Sequence, residues 1–516
     1  MLQIQTVKGS KMKHLSHNGV MIPAAYVAKG LHIAIKGTAM KLDSEQEEMA
    51  VAFAKKFGTE YIEDKIFVKN FLRDFSKKLG IKESLNFEDI DFSEVTTSVE
   101  HERELKLNLS KEEKKKTAEA RKVIREANKE KYGFAIVDGE RVEIGNYAAE
   151  PSSIFMGRGK HPMRGKWKEG PPIGDITLNL SPDAARPPGQ WKNIVWEPKF
   201  MWIAKWDDKL NNKEKYIWLA DTSSVKQQRE KEKFDHAKDL QKTIELVREH
   251  ISSNLISTNL KRRKIATVCY LIDSLSLRVG DEKDKDEADT VGATTLRPSH
   301  IKFGENGLVT FDFLGKDYVR WHKQVRLPTP VIENLKEFIN ESNSALFNGI
   351  RSDVVSQFLG EAVPYLTAKV FRTYRATKTV NEYLMEHKVK KSDTEYEKKN
   401  VAALANLQAA IICNHKRKLP KTWKKSLEKK KERLHKLKKT KKKTNKTLQS
   451  IAKTKLDIDR AKTTRDYNLQ TSLKSYIDPR VYRSWGNKID YDWKLYYSKT
   501  LQRKFSWIDS NKRSEE

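Results

Sequence analysis

Cysteine is scarce in this sequence, with only Cys269 and Cys413 among 516 residues. Two cysteines cannot build a disulfide framework or a cysteine-based zinc site, so we expect a reducing compartment. No stretch approaches the roughly 18 consecutive apolar residues that a membrane span needs. The first fifteen residues also lack the apolar core of a signal peptide. The sequence therefore predicts a protein that is neither secreted nor inserted in a membrane.

Nucleotide-binding and metal-binding signatures are missing as well. The sequence contains no GxxxxGK[ST], no GxGxxG and no HExxH. These absences weigh against an ATP-driven motor, a dinucleotide-dependent enzyme and a zinc protease. We expect no cofactor and no bound metal.

Positive charge, in contrast, is abundant. The chain has 101 Lys and Arg against 70 Asp and Glu, a formal net charge of +31, which predicts a polyanionic partner. Its 11 Trp, 19 Phe and 17 Tyr are too many for a disordered chain, so a sizeable folded core is expected. The length suggests about three or four domains.

The first half of the chain alternates helical and strand-like patterns. Residues 27–109 have a compact α+β pattern. Ser110 has the spacing of a capping box, which predicts a charged helix from there to about Lys131. Asp138 begins an Asp-Gly turn between two apolar runs and predicts a hairpin. Residues 145–223 are rich in Pro, Gly and Trp with short strand-like runs, which indicates a β-rich lobe.

The second half is mainly helical in pattern from residue 224 to 415, interrupted by a single hairpin that turns near Gly315. Residues 416–446 then hold seventeen Lys and Arg against two Glu. Together with residues 447–468 they could form an antiparallel helical pair. The basic run could instead be a solvated, disordered segment, and it could double as a nuclear localisation signal; we favour a linker that follows the DNA backbone loosely. Residues 469–516 are aromatic again, so we expect this tail to dock back onto the main body.

Five side chains in this half could break a phosphodiester bond without a metal. A tyrosine can attack phosphorus and hold the strand as a phosphotyrosine. Two arginines and a histidine can stabilise the phosphoryl oxygens, and a lysine can protonate the leaving oxygen. Taken singly, each of these residues could have an ordinary structural role, as a surface charge, a turn residue, a helix-end histidine or a core aromatic. The candidates are Arg278 at the end of an apolar helix, Lys316 at the hairpin tip, Arg372, His415 and Tyr476.

The stretches around these residues resemble the eukaryotic-type DNA topoisomerase IB family. SLRVGDEK, EADTVG, FDFLGKD, LTAKVFRTY, ICNHKRKLPKT and SYIDPR occur in the family's order, as do YAAEPSSIFMGRGKHP and LSPDAARPPG upstream. The resemblance runs from about residue 12 to about 508. It implies that the five candidates are catalytic. It assigns DNA contacts to Arg158, Lys160, Asp317, Lys369, Asn414 and Ser475, the last standing where Asn is usual.

The fold class implied is multidomain α+β, a bilobed DNA clamp. It would have a β-rich or mixed upper lobe, a mostly helical catalytic core, a helical linker and a small helical C-terminal domain. The clamp would close through Lys160 and Arg164 against Asp284, Asp286 or Glu287. The implied domains are core lobe I at 1–26 and 110–223, a cap lobe at 27–109, the catalytic core at 224–417, a basic linker at 418–468 and the nucleophile-bearing domain at 469–516.

The function implied is relaxation of positive and negative supercoils through a 3′-phosphotyrosyl intermediate, strand rotation and religation, without ATP or metal. The expected partner is supercoiled double-stranded DNA, and we expect a monomer without membrane association. The expected location is the nucleus, or a virus factory or virion if the source is viral. A tyrosine site-specific recombinase and a non-catalytic DNA-clamping protein remain alternatives.

Overall fold

The computed structural model describes residues 12–83, 85–281, 289–341, 344–441 and 444–510. The chain divides into two compact units, with the boundary between Lys226 and Gln227. Both units contain helices and strands, so the predicted mixed α+β class is confirmed. Among the described residues, no helix is both long enough and apolar enough to cross a bilayer.

The first unit consists of small sheets and four longer helices. Its sheets have the strand orders β1-β5-β6, β3-β2-β4, β7-β8 and β10-β9-β11-β12. The strands are β1 (Leu15–His17), β2 (His32–Ile35), β3 (Thr38–Lys41), β4 (Ile90–Asp91), β5 (Phe134–Val137), β6 (Glu140–Glu143), β7 (Ser153–Ile154), β8 (Trp167–Lys168), β9 (Thr177–Asn179), β10 (Asn193–Val195), β11 (Trp202–Asp208) and β12 (Lys213–Trp218). The helices are α1 (Ser44–Ala54), α2 (Lys65–Lys78), α3 (Ser93–Asn108) and α4 (Lys111–Tyr132).

Two local predictions for this unit are confirmed. Ser110 and Glu113 form the capping box that begins α4, and none of the side chains of α4 is buried. The β5–β6 hairpin turns at Asp138 and Gly139, with φ of 49° and 87°. Two positive φ values are what a two-residue turn needs to match the twist of the flanking strands, which explains the Asp-Gly pair.

The first unit contains two hydrophobic cores. One is aromatic, with Phe53 and Phe71 stacked 4.0 Å apart and with Phe67 and Phe75 fully buried beside them. The other lies between the sheets and includes Leu178 and other fully buried aliphatic side chains. Each fully buried side chain of this size stabilises the fold by roughly 1.5–3 kcal/mol.

The second unit is predominantly helical, and its described residues form one three-stranded sheet of order β13-β14-β15. The strands are β13 (Ile301–Phe303), β14 (Leu308–Gly315) and β15 (Val319–Arg326). The helices are α5 (Ser224–Leu255), α6 (Leu260–Leu275), α7 (Thr329–Glu341), α8 (Ser352–Ala362), α9 (Ala368–Glu386), α10 (Glu395–Ile412), α11 (Trp423–Lys439), α12 (Asn445–Thr463), α13 (Leu469–Ser475), α14 (Pro479–Ile489), α15 (Lys499–Lys504) and α16 (Trp507–Ser510).

Two expectations for this unit need correction. The predicted single hairpin is part of a three-stranded sheet, because β13 pairs with β14. Arg278 does not end the apolar helix. That helix, α6, stops at Leu275, and Ser276 adopts a left-handed conformation with φ of 55°. Arg278 therefore lies in the irregular segment that follows.

The C-terminal tail docks on the helical core, as predicted. Ile477, Tyr482 and Trp493 share one hydrophobic core with Val380 of α9 and Ala405 of α10. The basic run before it forms the predicted pair of helices, since α11 and α12 pack against each other.

Candidate active site

Arg372 on α9 is the best-anchored of the candidate residues. Its side chain is 6% exposed. Its Nη1 donates to the carbonyl of Ser276 at 3.0 Å, and its Nη2 donates to the carbonyl of Cys413 at 2.8 Å. These carbonyls follow the ends of α6 and α10, where backbone oxygens lack helical partners and carry partial negative charge. The guanidinium thus caps two helix ends and fixes their positions relative to each other.

The same two helix ends present Arg278 and His415. Asn414, which precedes His415, is left-handed with φ of 52°, and the His415 N–H donates back to the carbonyl of Ala410 at 2.8 Å. Two sharp turns, each following a helix, therefore bring an arginine and a histidine to Arg372. A left-handed turn at residues other than glycine is uncommon and needs support from its surroundings.

His415 is buried and electrostatically constrained. Its burial, aided by the positive charges of Arg372 and Arg278, lowers the pKa of its imidazole to about 3. The ring is therefore neutral at physiological pH. Its Nε2 lies 3.3 Å from Arg372 Nη2, and a guanidinium can only donate, so Nε2 accepts. The ring proton is then on Nδ1, a buried atom that has no hydrogen-bond partner among the described residues.

The Tyr476 ring lies beside these three side chains. The His415 ring centroid is 5.1 Å from the Tyr476 centroid, and the guanidinium carbons of Arg372 and Arg278 are 5.0 Å and 5.9 Å from it. Tyr476 is half-buried and Arg278 is exposed. The structure therefore brings four of the five candidates into one cluster with an open side.

The backbone around Tyr476 is held from two directions. The Thr377 hydroxyl of α9 donates to the carbonyl of Tyr476 at 3.2 Å and accepts from the N–H of Asp478 at 3.1 Å. On the other side, Lys233 Nζ of α5 donates to the carbonyl of Ser475 at 3.2 Å and to Glu230 at 2.8 Å. Sequence reasoning missed both Thr377 and Lys233, because neither lies in a motif that carries the chemistry.

Lys316 stands apart from this cluster. It is exposed at the tip of the β14–β15 hairpin, where Asp317 and Tyr318 both have positive φ, 67° and 58°. Among the described residues, its side chain has no hydrogen bond, ion pair or ring contact. The predicted place at a hairpin tip is confirmed, but the side chain does not join the other four.

The hairpin itself is tied to the cluster through its strands. The N–H of Val291 donates to the carbonyl of Leu314 at 2.8 Å, and Asn414 Nδ2 donates to the carbonyl of Arg320 at 3.1 Å. Both strands are thus fixed close to the tip. Lys316 is consequently an exposed side chain on an anchored support.

Two glycines make the Arg278 segment possible. A Cβ added to Gly280 would lie 2.7 Å from the Cα of Gly292, and one added to Gly292 would lie 2.6 Å from the Cα of Gly280. Gly280 also has φ of 82°. Because the two backbones touch there, the N–H of Ala293 can donate to the carbonyl of Arg278 at 2.8 Å. Both glycines lie in motifs quoted in the sequence analysis, SLRVGDEK and EADTVG, but the motifs alone did not predict that the two glycines contact each other.

The remaining predicted DNA contacts fall in both units. In the second unit, Asp317 and Lys369 are exposed, while Asn414 and Ser475 are half-buried. In the first unit, Arg158 and Lys160 are exposed on the loop that follows β7. Residues 284, 286 and 287, predicted to close the clamp, lie outside the described residues.

Tyr482, the next tyrosine along the chain after Tyr476, is in a different environment. It is fully buried, and its hydroxyl donates to the carbonyl of Ala402 at 3.0 Å. Burial raises the pKa of Tyr482 well above its usual value. Tyr476 is therefore the tyrosine of this pair with access to a phosphate.

Comparison with known proteins gives matches along the whole chain. Residues 10–219 match the model described as the DNA binding fragment of eukaryotic DNA topoisomerase I, and residues 222–448 match its catalytic core. Residues 448–514 match the C-terminal topoisomerase domain. DNA topoisomerase 1 of Homo sapiens is 32% identical over 549 residues, covering 97% of this chain and 71% of the human protein. The chain belongs to the eukaryotic DNA topoisomerase I family.

Other members of the family are considerably longer. DNA topoisomerase 1 of Drosophila melanogaster is 32% identical over 530 residues, which are 97% of this chain but 54% of the fly protein. DNA topoisomerase 1 beta of Arabidopsis thaliana is 33% identical, over 96% of this chain and 58% of the plant protein. The chain thus spans little more than half the length of these two relatives. The recognition made from the motifs is confirmed.

Proposed function

We propose that this protein is a type IB DNA topoisomerase that relaxes positive and negative supercoils in double-stranded DNA. The observation that carries the proposal is the cluster of Arg278, Arg372 and His415 around the ring of Tyr476. A nucleophile surrounded by donors suited to phosphoryl oxygens is the arrangement that phosphoryl transfer to a side chain requires.

The reaction would run as two transesterifications. The Tyr476 hydroxyl loses its proton to water as its oxygen attacks phosphorus, forming an O–P bond, while the bond from phosphorus to the 5′-oxygen breaks. Lys316 delivers a proton to that oxygen, and its exposed position on an anchored hairpin suits this reach. Rotation of the free 5′ end releases supercoils, and attack by the 5′-hydroxyl reverses the first step. One phosphodiester is exchanged for another, so no ATP is consumed.

The three donors around Tyr476 would have different roles, because their surroundings differ. Arg372 is held by two carbonyls and offers a fixed charge, whereas Arg278 is exposed and can move toward a phosphate. His415 is neutral in the free protein. A phosphate between the two guanidiniums would offset their positive field, which raises the imidazole pKa and allows a second N–H to form. His415 Nε2 would then donate to the phosphate only when the substrate is in place.

The test of this proposal is relaxation of supercoiled plasmid by the purified full chain in EDTA and without ATP. We expect complete relaxation of both positively and negatively supercoiled plasmid. A requirement for ATP or for a divalent metal would contradict the mechanism. Recombination between two plasmids without relaxation would indicate a recombinase, and binding without either would indicate a non-catalytic clamp.

The contacts to the Tyr476 backbone lead to a second prediction. Thr377→Val should slow single-turnover cleavage about tenfold, because loss of one buried hydrogen-bonding group costs about 1–2 kcal/mol and loosens the nucleophile. Thr377→Ser should restore the rate. The measurement is formation of covalent complex on a labelled duplex at saturating protein.

The matched control is Thr379→Val, which makes the same change on another face of α9. It should leave the cleavage rate unchanged. Weakened DNA binding in Thr377→Val, with an unaltered cleavage rate, would show that Thr377 does not position Tyr476.

The linker, residues 418–468, is proposed to follow the DNA backbone. The N–H of Asn468 donates to the carbonyl of His415 at 2.7 Å, and the N–H of Arg417 donates to the carbonyl of Asp466 at 2.9 Å. The chain therefore leaves the cluster and returns to it at nearly the same point. The residues between Arg417 and Asp466 can therefore be altered without moving His415 or Tyr476.

Deleting residues 422–464 should make DNA affinity less sensitive to salt and leave cleavage intact. Each lost phosphate contact lowers the slope of log affinity against log salt by about 0.9. Fluorescence anisotropy between 50 and 200 mM salt, the range over which such contacts lose most affinity, measures the slope. An unchanged slope would mean that the linker does not contact DNA.

A second protein separates charge from length in that experiment. It replaces six exposed lysines of α11 by Gln and keeps both helices; the six are Lys424, Lys425, Lys429, Lys436, Lys438 and Lys439. If it reproduces the shallower slope of the deletion, the charge of the linker is responsible.

We further propose that the protein acts as a monomer in the nucleus.

A further inference from the structure

A cavity of about 360 Å³ lies at the base of the linker pair, here called the linker-base cavity. Its apolar wall contains Trp423 and Leu427 of α11, Leu469 of α13 and Tyr496. This volume falls in the range of about 300–1,000 Å³ typical of small-molecule sites. The cavity is formed by helices of the core, the linker and the C-terminal tail. None of the residues that line it belongs to the Tyr476 cluster.

The charged residues that line the linker-base cavity are unevenly balanced. Four are cationic, namely Lys399, Arg417, Lys430 and Arg460, and one is acidic, Asp457. Arg460 forms an ion pair with Asp457, so that acid is already used. Three cations therefore remain without an acidic partner in the wall.

The hydrogen bonds of these cations leave donors available. Arg417 uses its Nε on the carbonyl of Arg465 at 3.1 Å, and Lys399 Nζ donates to the carbonyl of Leu495 at 2.8 Å. Each keeps further N–H groups. Lys430 has no hydrogen bond or ion pair within the part of the chain that the structure describes. An anion entering the cavity would find several charge-assisted donors.

The aromatic wall adds a second requirement for the ligand. The Tyr496 hydroxyl accepts from Asn406 Nδ2 at 2.8 Å, and burial raises the pKa of Tyr496, so this residue brings no charge. The guanidinium of Arg465 lies 5.4 Å from the Trp423 ring. Flat aromatic surface beside unpaired cations suits a ligand with one ring and one multiply charged anionic group.

We propose that the linker-base cavity binds a small aromatic phosphate monoester, the chemistry shared by naphthyl phosphates and mononucleotides. The phosphate would bind Arg417 and Lys430, and the ring would lie against Trp423. An occupied cavity would brace the linker helices against α10 and thereby slow strand rotation. That last consequence rests on the proposed topoisomerase function, whereas binding itself does not.

The test is a titration of the full chain, labelled with 5-fluorotryptophan, with 1-naphthyl phosphate as the probe. The ¹⁹F resonance of Trp423 is assigned by its absence in Trp423→Phe. We expect a saturable shift of this resonance. Arg417→Gln combined with Lys430→Gln should weaken binding about tenfold or more, since two charge-assisted hydrogen bonds are lost. Lys453→Gln with Lys455→Gln, exposed positions on α12 outside the cavity, removes the same charge and should change nothing.

Four results of these titrations would overturn the proposal. They are no saturable shift of the Trp423 resonance, equal binding of 1-naphthol, equal binding of inorganic phosphate, and equal weakening in the control pair. Displacement of the probe by a short DNA duplex would instead assign the cavity to the DNA backbone, which also contradicts it. Because the readout is binding, a protein that fails to relax plasmid can still pass this test.

Discussion

Tyr476→Phe is expected to bind duplex DNA with the affinity of the unmodified protein and to form no covalent complex. The change removes only the attacking oxygen and keeps the ring beside Arg372 and His415. Among the described residues, the Tyr476 hydroxyl has no hydrogen-bond partner, so stability should change by less than about 0.5 kcal/mol. Covalent complex on a labelled duplex, resolved on a denaturing gel, should fall by roughly 10⁴-fold or more.

Tyr482→Phe provides the comparison for this experiment. Its hydroxyl is buried and donates to Ala402, so its loss should cost about 1 kcal/mol of stability and leave covalent complex formation intact. Covalent complex formed by Tyr476→Phe would assign the nucleophile to another residue. Lower DNA affinity of Tyr476→Phe would mean that the Tyr476 hydroxyl contributes to DNA binding as well as to chemistry.

Arg372→Lys is expected to reduce the rate of DNA cleavage about 10²- to 10³-fold, as loss of a fixed donor to a developing charge does. A lysine keeps the charge, but its single ammonium cannot reproduce the fork that reaches both Ser276 and Cys413. Stability should fall by about 1–3 kcal/mol, because buried carbonyls lose their donor. Single-turnover cleavage at saturating protein and a urea titration measure the two effects separately.

Two other substitutions show whether the rate loss is specific. Arg375 lies one turn further along α9, and its Nη1 is 3.6 Å from Asp273 Oδ1. The Arg375→Lys protein should cleave DNA at the normal rate. Arg278→Lys changes an exposed residue, so it should slow cleavage without the loss of stability. If Arg375→Lys were as slow as Arg372→Lys, the effect would come from the packing of α9 and not from the phosphate contact.

Much of the local structure could be predicted from sequence because its causes are local. The capping box at Ser110 and the Asp138 turn each depend on a few neighbouring residues, and both are present as expected. The docking of the tail followed from its aromatic composition. The residue types of the candidate site followed from motifs that belong to a known family.

The errors and omissions lie where distant segments meet. The end of α6 at Leu275 depends on Ser276, whose left-handed turn is supported by Arg372 almost a hundred residues later. Thr377 and Lys233 contact the Tyr476 segment only through its backbone, so no side-chain pattern in the sequence predicts these contacts. The separation of Lys316 from the other four could be read only from coordinates.

The placement of Tyr476, the proposed nucleophile, has a consequence for the protein during its own synthesis. Arg278, Arg372 and His415 all emerge from the ribosome before Tyr476. Other residues of the hydrophobic core against which Tyr476 packs, such as Trp493 and Phe505, emerge after it. A growing chain that has folded as far as α10 would thus carry cationic groups able to hold a phosphate but nothing able to cut. Under the proposed function, the capacity to cleave a DNA strand would arise only when translation is nearly finished, and a chain truncated before the tail would lack the proposed nucleophile.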